Sequence, residues 1–167
     1  MPLKPIKAKE RLEQIKKKPQ KALSYAIKNK VRWPEAEPVI MQSPYSATMY
    51  ALYVIGGRWP EAEPYIMKEA IAALHYAFHI LKKRWPEAEP IIMQDPRMAW
   101  AYARDVIRGP WPEAEEVIMK DSPYTAFKYA IEVIKDRWLK GEPYIRKDKD
   151  IYEFYIKGLK ELKKKKY

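Results

Sequence analysis

The chain has 167 residues, 47% of them hydrophobic, and carries 33 Lys and Arg against 22 Asp and Glu for a formal net charge of +11. It has no cysteine, which excludes disulfides, thiolate metal sites and cysteine nucleophiles. No run approaches the roughly 20 apolar residues of a membrane helix and no apolar signal region follows the first lysines, so no membrane insertion and a cytoplasmic location are expected.

The basicity is unevenly placed. Residues 1 to 32 hold 11 basic and 2 acidic groups, residues 33 to 136 hold 11 and 15, and residues 137 to 167 hold 11 and 5. The excess positive charge therefore belongs to the two ends, while the middle is mildly acidic.

In chain order, Lys4, Lys7, Lys9, Arg11, Lys16, Lys17 and Lys18 accompany Leu3, Ile6, Leu12 and Ile15, the last two at helical spacing. A basic capping helix near Lys7 to Lys18 is predicted, within an N-terminal segment 1–18. Pro19, Ala22, Tyr25 and Ala26 then match Pro44, Ala47, Tyr50 and Ala51, so residues 19–31 read as a half-unit of a longer repeat.

The full unit opens on Arg32-Trp33-Pro34-Glu35-Ala36-Glu37-Pro38. This segment returns at Arg58 to Pro64 and Arg84 to Pro90 and, altered, at Pro110 to Glu116 and Arg137 to Pro143. Trp33, Trp59, Trp85, Trp111 and Trp138 stand 26, 26, 26 and 27 residues apart, and such a fixed period marks an array of stacked repeats. The units run 32–57, 58–83, 84–109, 110–136 and 137–162, with a basic tail at 163–167. One inserted residue, Asp121 or Ser122, accounts for the longer step.

Two prolines four apart cannot both lie inside a regular helix. The spacing predicts a 3₁₀ turn over Pro34 to Glu37 running into a brief helix, Pro38 to Gln42, with a continuous helix possible where Glu116 replaces the second proline. Ser43, Asp95 and Ser122 are N-caps, each followed by proline at the first helical position. The second helix then carries Ala47, Tyr50, Ala51, Val54 and Ile55 on one apolar face, and the later units repeat that pattern. Gly56 and Gly109 suit left-handed C-caps.

Together these features predict an all-α fold, a right-handed α-solenoid of about five 26-residue two-helix repeats with a capping N-terminal helix. The pattern Pro-x-x-Ala-x-x-Tyr-Ala-x-x-Val-Ile followed by Gly-Arg-Trp-Pro-Glu-Ala-Glu, as at Pro44 to Glu63, resembles α-helical repeat arrays of the leucine-rich-repeat-variant and HEAT kind, familiar from phage and bacterial proteins. That resemblance implies binding of proteins or nucleic acids and carries over no catalytic residue.

The glutamate columns at 35, 61, 87 and 113 and at 37, 63, 89 and 115 do not read as acid–base pairs. Catalysis needs one differentiated site with separated pKa values, whereas carboxylates repeated in every copy serve helix starts and pair with Arg58, Arg84 or Arg137. The tryptophans read first as core and secondly as base-stacking groups. His75 and His79, four apart on one helix face, can share a metal with Asp105 as a third ligand, or can belong to a variable surface. No metal or cofactor is expected.

The second of these readings of the histidines extends to whole columns. Met49, His75, Ala101 and Lys128 occupy one repeat position and Tyr53, His79, Asp105 and Glu132 another, and both vary while the frame stays fixed. In an array, such positions line the surface that reads a partner. Met49, Tyr53, His75, His79, Trp100, Arg104 and Lys128 are the partner-binding candidates, with Trp100 either an aromatic anchor or a cover for the core edge. Lys4, Lys7, Lys9, Arg11, Lys16, Lys17, Lys18, Lys163, Lys164, Lys165 and Lys166 are candidates for nucleic-acid contact. The expected function is a non-enzymatic module that docks a protein or ribonucleoprotein partner, with basic termini contacting nucleic acid. The alternative is a protein-only scaffold or a phage-type inhibitor of a host system.

Overall fold

Two prolines and one arginine-bearing turn set the geometry of the first three copies. The computed structural model describes residues 12–164, which divide into two compact units, one running to Lys82 and one starting at Lys83. Both units are helical, with no strand among the described residues.

In the first unit, residues 12–16 form a helical turn that leads into α1 (Pro19–Asn29). A 3₁₀ turn, Pro34–Ala36, then feeds the short α2 (Glu37–Ile40), which is followed by α3 (Pro44–Tyr50). The next copy repeats this with Pro60–Ala62, α4 (Glu63–Ile66) and α5 (Ala70–Tyr76). The predicted 3₁₀-then-helix sequence is present because each proline falls within the first two positions of its own short element, where its missing N–H would have had no helical partner. Helix α1 packs against α3 and α3 against α5, with each long helix also covering a short one. Ala47, Tyr50 and Ala51 of α3 and its extension, with Ile40 beneath them, are fully buried. Each such Tyr or Ile contributes on the order of 1.5–3 kcal/mol by leaving water.

The long helices do not stop at their last regular turn. Ala51–Ile55 and Ala77–Leu81 widen into π turns, which are closed by residues in the left-handed region, Gly56 at φ 73° and Lys82 at φ 54°. The widened turn lets the N–H groups of Gly56 and Gly57 both reach the Ala51 carbonyl, at 2.9 and 3.1 Å.

The second unit keeps the same plan, with α6 (Glu89–Ile92), α7 (Pro96–Tyr102), α8 (Glu115–Asp121), α9 (Pro123–Tyr129), α10 (Glu142–Ile145) and α11 (Lys149–Lys164). Helix α7 packs on α9 and α9 on α11. Ser43, Asp95 and Ser122 cap as expected, their side chains accepting from backbone N–H groups in the first turn. Asp148, not among the predicted caps, does the same for the Ile151 N–H at 3.0 Å.

One expectation is corrected. Gly109 is not the left-handed cap; Arg108 takes that conformation at φ 62°, as Lys135 does at φ 55° one copy later. The π turn fixes the cap at the residue immediately after its fifth position, and only the first copy has glycine there.

The inserted residue is absorbed at the joint before α9. With Glu116 in place of proline, α8 runs three residues longer than its counterparts, and the preceding 3₁₀ turn, Pro112–Ala114, persists. Ser122, at φ −160° and ψ 157°, then restores the register.

Candidate functional site

The most conspicuous motif of the sequence closes on the tyrosine of its own copy. The Trp33 backbone N–H donates to the Tyr50 hydroxyl at 2.7 Å, and that hydroxyl donates to Glu37 Oε1 at 3.1 Å. Arg32 forks both carboxylate oxygens through Nε at 2.7 Å and Nη2 at 3.3 Å. The same clasp recurs with Arg58, Trp59, Glu63 and Tyr76; with Arg84, Trp85, Glu89 and Tyr102; and with Arg137, Trp138, Glu142 and Tyr155.

Electrostatics follow from this geometry. Burial pushes the Tyr50 hydroxyl up to about 12, and it also raises those of Tyr76, Tyr102 and Tyr155, so these groups stay protonated and able to donate. The hydrogen bonds from Arg58 and Arg137 hold the Glu63 and Glu142 carboxyls below the usual range, against the opposing effect of their burial. Sequence reasoning pairs the glutamates with Arg58, Arg84 and Arg137 but misses Arg32 and the tyrosines. The signal for them is the constant spacing of 17 residues from Trp to Tyr and 13 from Glu to Tyr. The first glutamate of each segment, at 35, 61, 87 and 113, is exposed, whereas Trp59, Trp85, Trp111 and Trp138 are buried as core.

The fourth copy departs from this pattern. Pro110 stands where the others have arginine, and Glu115 is reached instead by Lys140 Nζ at 3.4 Å.

Among the partner-binding candidates, Met49 and His75 are half-buried and Tyr53 and His79 exposed, all in the first unit. The two imidazoles lie with centroids 5.8 Å apart at 87°, and burial together with the neighbouring His79 lowers the pKa of His75. Among the described residues, no group of three or more His, Cys, Asp or Glu side chains is placed to hold a metal ion.

In the second unit, Trp100, Arg104 and Lys128 come together. The Arg104 guanidinium lies 4.7 Å from the Trp100 ring centroid and the Lys128 ammonium 5.6 Å from it. Arg104 also pairs with Asp105 at 2.7 Å and with Glu132 at 3.1 Å, and Lys128 pairs with Glu132. The Trp100 face is thus covered by cations that are themselves neutralised, and its indole nitrogen is buried without a hydrogen bond. Of its counterparts in other copies, Thr48 and Leu74 are buried.

Of the basic candidates, Lys4, Lys7, Lys9, Arg11, Lys165 and Lys166 lie outside the described residues. Lys163 and Lys164 are exposed at the end of α11, with Lys164 paired to Glu161 at 2.9 Å. Lys16 approaches Glu13 at 3.9 Å, while Lys17 and Lys18 line a groove that also holds Lys21 and Lys28.

That groove has a structural origin in the repeat. The Lys18 N–H donates to the Ile15 carbonyl at 3.1 Å as the Ser43 N–H does to that of Ile40 at 3.2 Å, and the Ala22 N–H reaches the Lys18 carbonyl at 2.9 Å as that of Ala47 reaches Ser43 at 2.8 Å. Residues 12–18 thus stand where α2 stands in the next copy. Leu12 then falls at the position of Glu37, and among the described residues Tyr25 has no carboxylate partner. Between the 12–16 turn and α1 lies an open cavity of about 750 Å³, lined by Lys17, Lys18, Lys21, Ser24, Tyr25 and Lys28. None of these four lysines has an ion-pair partner among the described residues.

Comparison of the chain with protein-family models, with curated proteins and with solved structures found no match.

Proposed function

We propose that the protein is a non-enzymatic binding module, a right-handed solenoid whose variable positions dock a macromolecular partner and whose basic ends contact nucleic acid. The observation that carries the reading is the contrast between charges consumed by the frame and charges left over. The arginines of four clasps are forked to glutamates of their own copies, whereas Lys17, Lys18, Lys21 and Lys28 share one cavity that has no acidic residue lining it among the described residues. Unpartnered cations in a concave setting concentrate positive potential and attract polyanions. The carboxylates offer no catalytic alternative, because each clasp repeats the same partners and leaves no differentiated pair.

A protein-only role is favoured by a different feature. Val39 and Tyr65 in the first unit, and Ile91, Val117 and Tyr144 in the second, give the short helix of every copy a partly exposed apolar residue at one repeat position. Such a recurring position suits a protein partner.

The test is affinity measurement against DNA and RNA oligonucleotides across a salt series. Nucleic-acid contact predicts that log K falls linearly with log salt. Affinity that is absent at low salt, together with nuclease-insensitive recovery of a protein partner from the native cell, would shift the assignment to the protein-only role.

A further inference from the structure

We propose that the N-terminal groove is a binding site for single-stranded nucleic acid, in which Lys17, Lys18, Lys21 and Lys28 hold successive phosphates and Tyr53 offers a stacking face to a base. The proposal rests on the nucleic-acid reading above and specifies where and how contact is made.

Three observations converge on this site. The first is position on the helix. Lys21, Tyr25 and Lys28 fall at i, i+4 and i+7 of α1, so one face carries the two lysines about 10 Å apart along the axis. Lys17 and Lys18 extend that row across the turn before α1. The groove is therefore a track for a line of charges.

The second is the chemistry of the cations. In four copies the carboxylate of the clasp is gripped by an arginine fork, as Arg32 does on Glu37 and Arg58 on Glu63. Among the described residues the groove's cations are all lysines, point charges that suit phosphate oxygens in many orientations and impose no planar match. That favours a phosphate backbone over an acidic peptide.

The third is what stands beside the groove. Lys28 occupies in α1 the repeat position that Tyr53 occupies in the next copy, and α1 packs directly on α3, whose π-turn extension carries Tyr53. Tyr53 is 64% exposed, with no hydrogen bond or ring contact among the described residues. A lysine track flanked by an exposed aromatic ring is the combination that binds single strands without regard to sequence, because phosphates bring the affinity and any base can stack. The groove lies between one helix and one short turn.

The experiment uses the full chain and a fluorescein-labelled 12-nucleotide oligothymidylate, monitored by fluorescence anisotropy from low to moderate salt. Replacing Lys17, Lys18, Lys21 and Lys28 together with Gln should weaken binding at low salt by roughly tenfold or more and reduce the slope of log K against log salt by about 3. Tyr53→Ala should weaken binding by roughly tenfold while leaving the slope unchanged, since a stacked base releases no counterion. Neutralising Lys157, Lys160, Lys163 and Lys164 in the same way measures what the C-terminal basic end adds, and the groove variant should lose more affinity than this one. All these side chains are exposed, so melting temperatures should match the parent.

Three outcomes would overturn the assignment. If the groove variant binds as the parent does while the C-terminal variant loses affinity, the site is wrong although the nucleic-acid reading stands. If polyglutamate or a 12-base-pair duplex displaces the probe as well as unlabelled oligothymidylate does, the groove is not selective for single strands. If the parent chain does not bind oligothymidylate at low salt, both the site and the reading it rests on fail.

Discussion

Tyr50 and Tyr25 occupy the same position in neighbouring copies and are used in opposite ways. Tyr50 is fully buried, accepts from the Trp33 N–H and donates to Glu37, while Arg32 closes the clasp from outside. Tyr25 is half-buried, has Leu12 where the carboxylate would be, and faces a cavity lined with lysines. The difference shows how one backbone plan yields both frame and opening. With the carboxylate present, charges cancel inside the copy and the position becomes structural; without it, the same pocket stays open and cationic.

The largest effect should come from removing the closed side of this contrast. Tyr50→Ala empties a buried ring site against Trp59, at 5.1 Å between centroids, and orphans the Trp33 N–H. A loss of about 3–5 kcal/mol in chemical denaturation is expected. Tyr50→Phe keeps the ring and should cost about 1–3 kcal/mol through the unsatisfied N–H and the lost donor to Glu37. If Tyr50→Phe is as stable as the parent, the hydroxyl is not part of the frame.

A middle-sized effect should result from converting the open side into the closed one. Leu12→Glu restores a carboxylate thirteen residues before Tyr25, whose side chain lines the groove with the lysines. It should lower oligonucleotide affinity and reduce the salt slope by about 1, as loss of one phosphate contact does. Unchanged binding would separate the groove from the repeat logic.

The smallest effect concerns the outer arm of the clasp. The Arg58 side chain is 58% exposed, so Arg58→Ala should cost no more than about 1 kcal/mol at neutral pH. Its pH signature is more telling. Glu63 has a folded pKa held below the ordinary 4.5, so the stability it contributes is fully present above pH 4.5 and is lost as pH falls through the depressed folded value. Urea midpoints measured from pH 6 to pH 2 should fall less steeply in the variant than in the parent.

What is legible in the sequence is local. The caps at Ser43, Asp95 and Ser122 and the 3₁₀ turn at Pro34 follow from the preferences of single residues, and they are present as expected. Residue preference alone puts a left-handed cap at Gly109, because glycine is the residue least strained there. The π turn shifts that conformation to Arg108, at a cost a non-glycine residue bears only when the surrounding bonds demand it. The clasps are hidden for another reason, since partners 13 and 17 residues apart meet only through packing. The groove is the least legible feature. Residues 12–18 fold as a copy of α2 without carrying its Trp-Pro signature, and in sequence their lysines read as part of a basic capping helix instead of one wall of a cavity. At Trp100, the sequence does not reveal that Arg104 and Lys128, one from each of two adjacent helices, lie over the ring.

The extra residue before α9 has a practical consequence. Between Trp111 and Tyr129 the separation is 18 residues instead of 17, yet the hydrogen bond from the Trp111 N–H to the Tyr129 hydroxyl keeps its 2.7 Å length. The joint at Asp121 and Ser122 therefore works as an expansion seam, taking up added chain without lengthening that hydrogen bond. A short epitope or fluorophore-bearing peptide inserted there has a site that already accommodates added length, and it stands in the second unit, well removed in sequence from the lysine groove.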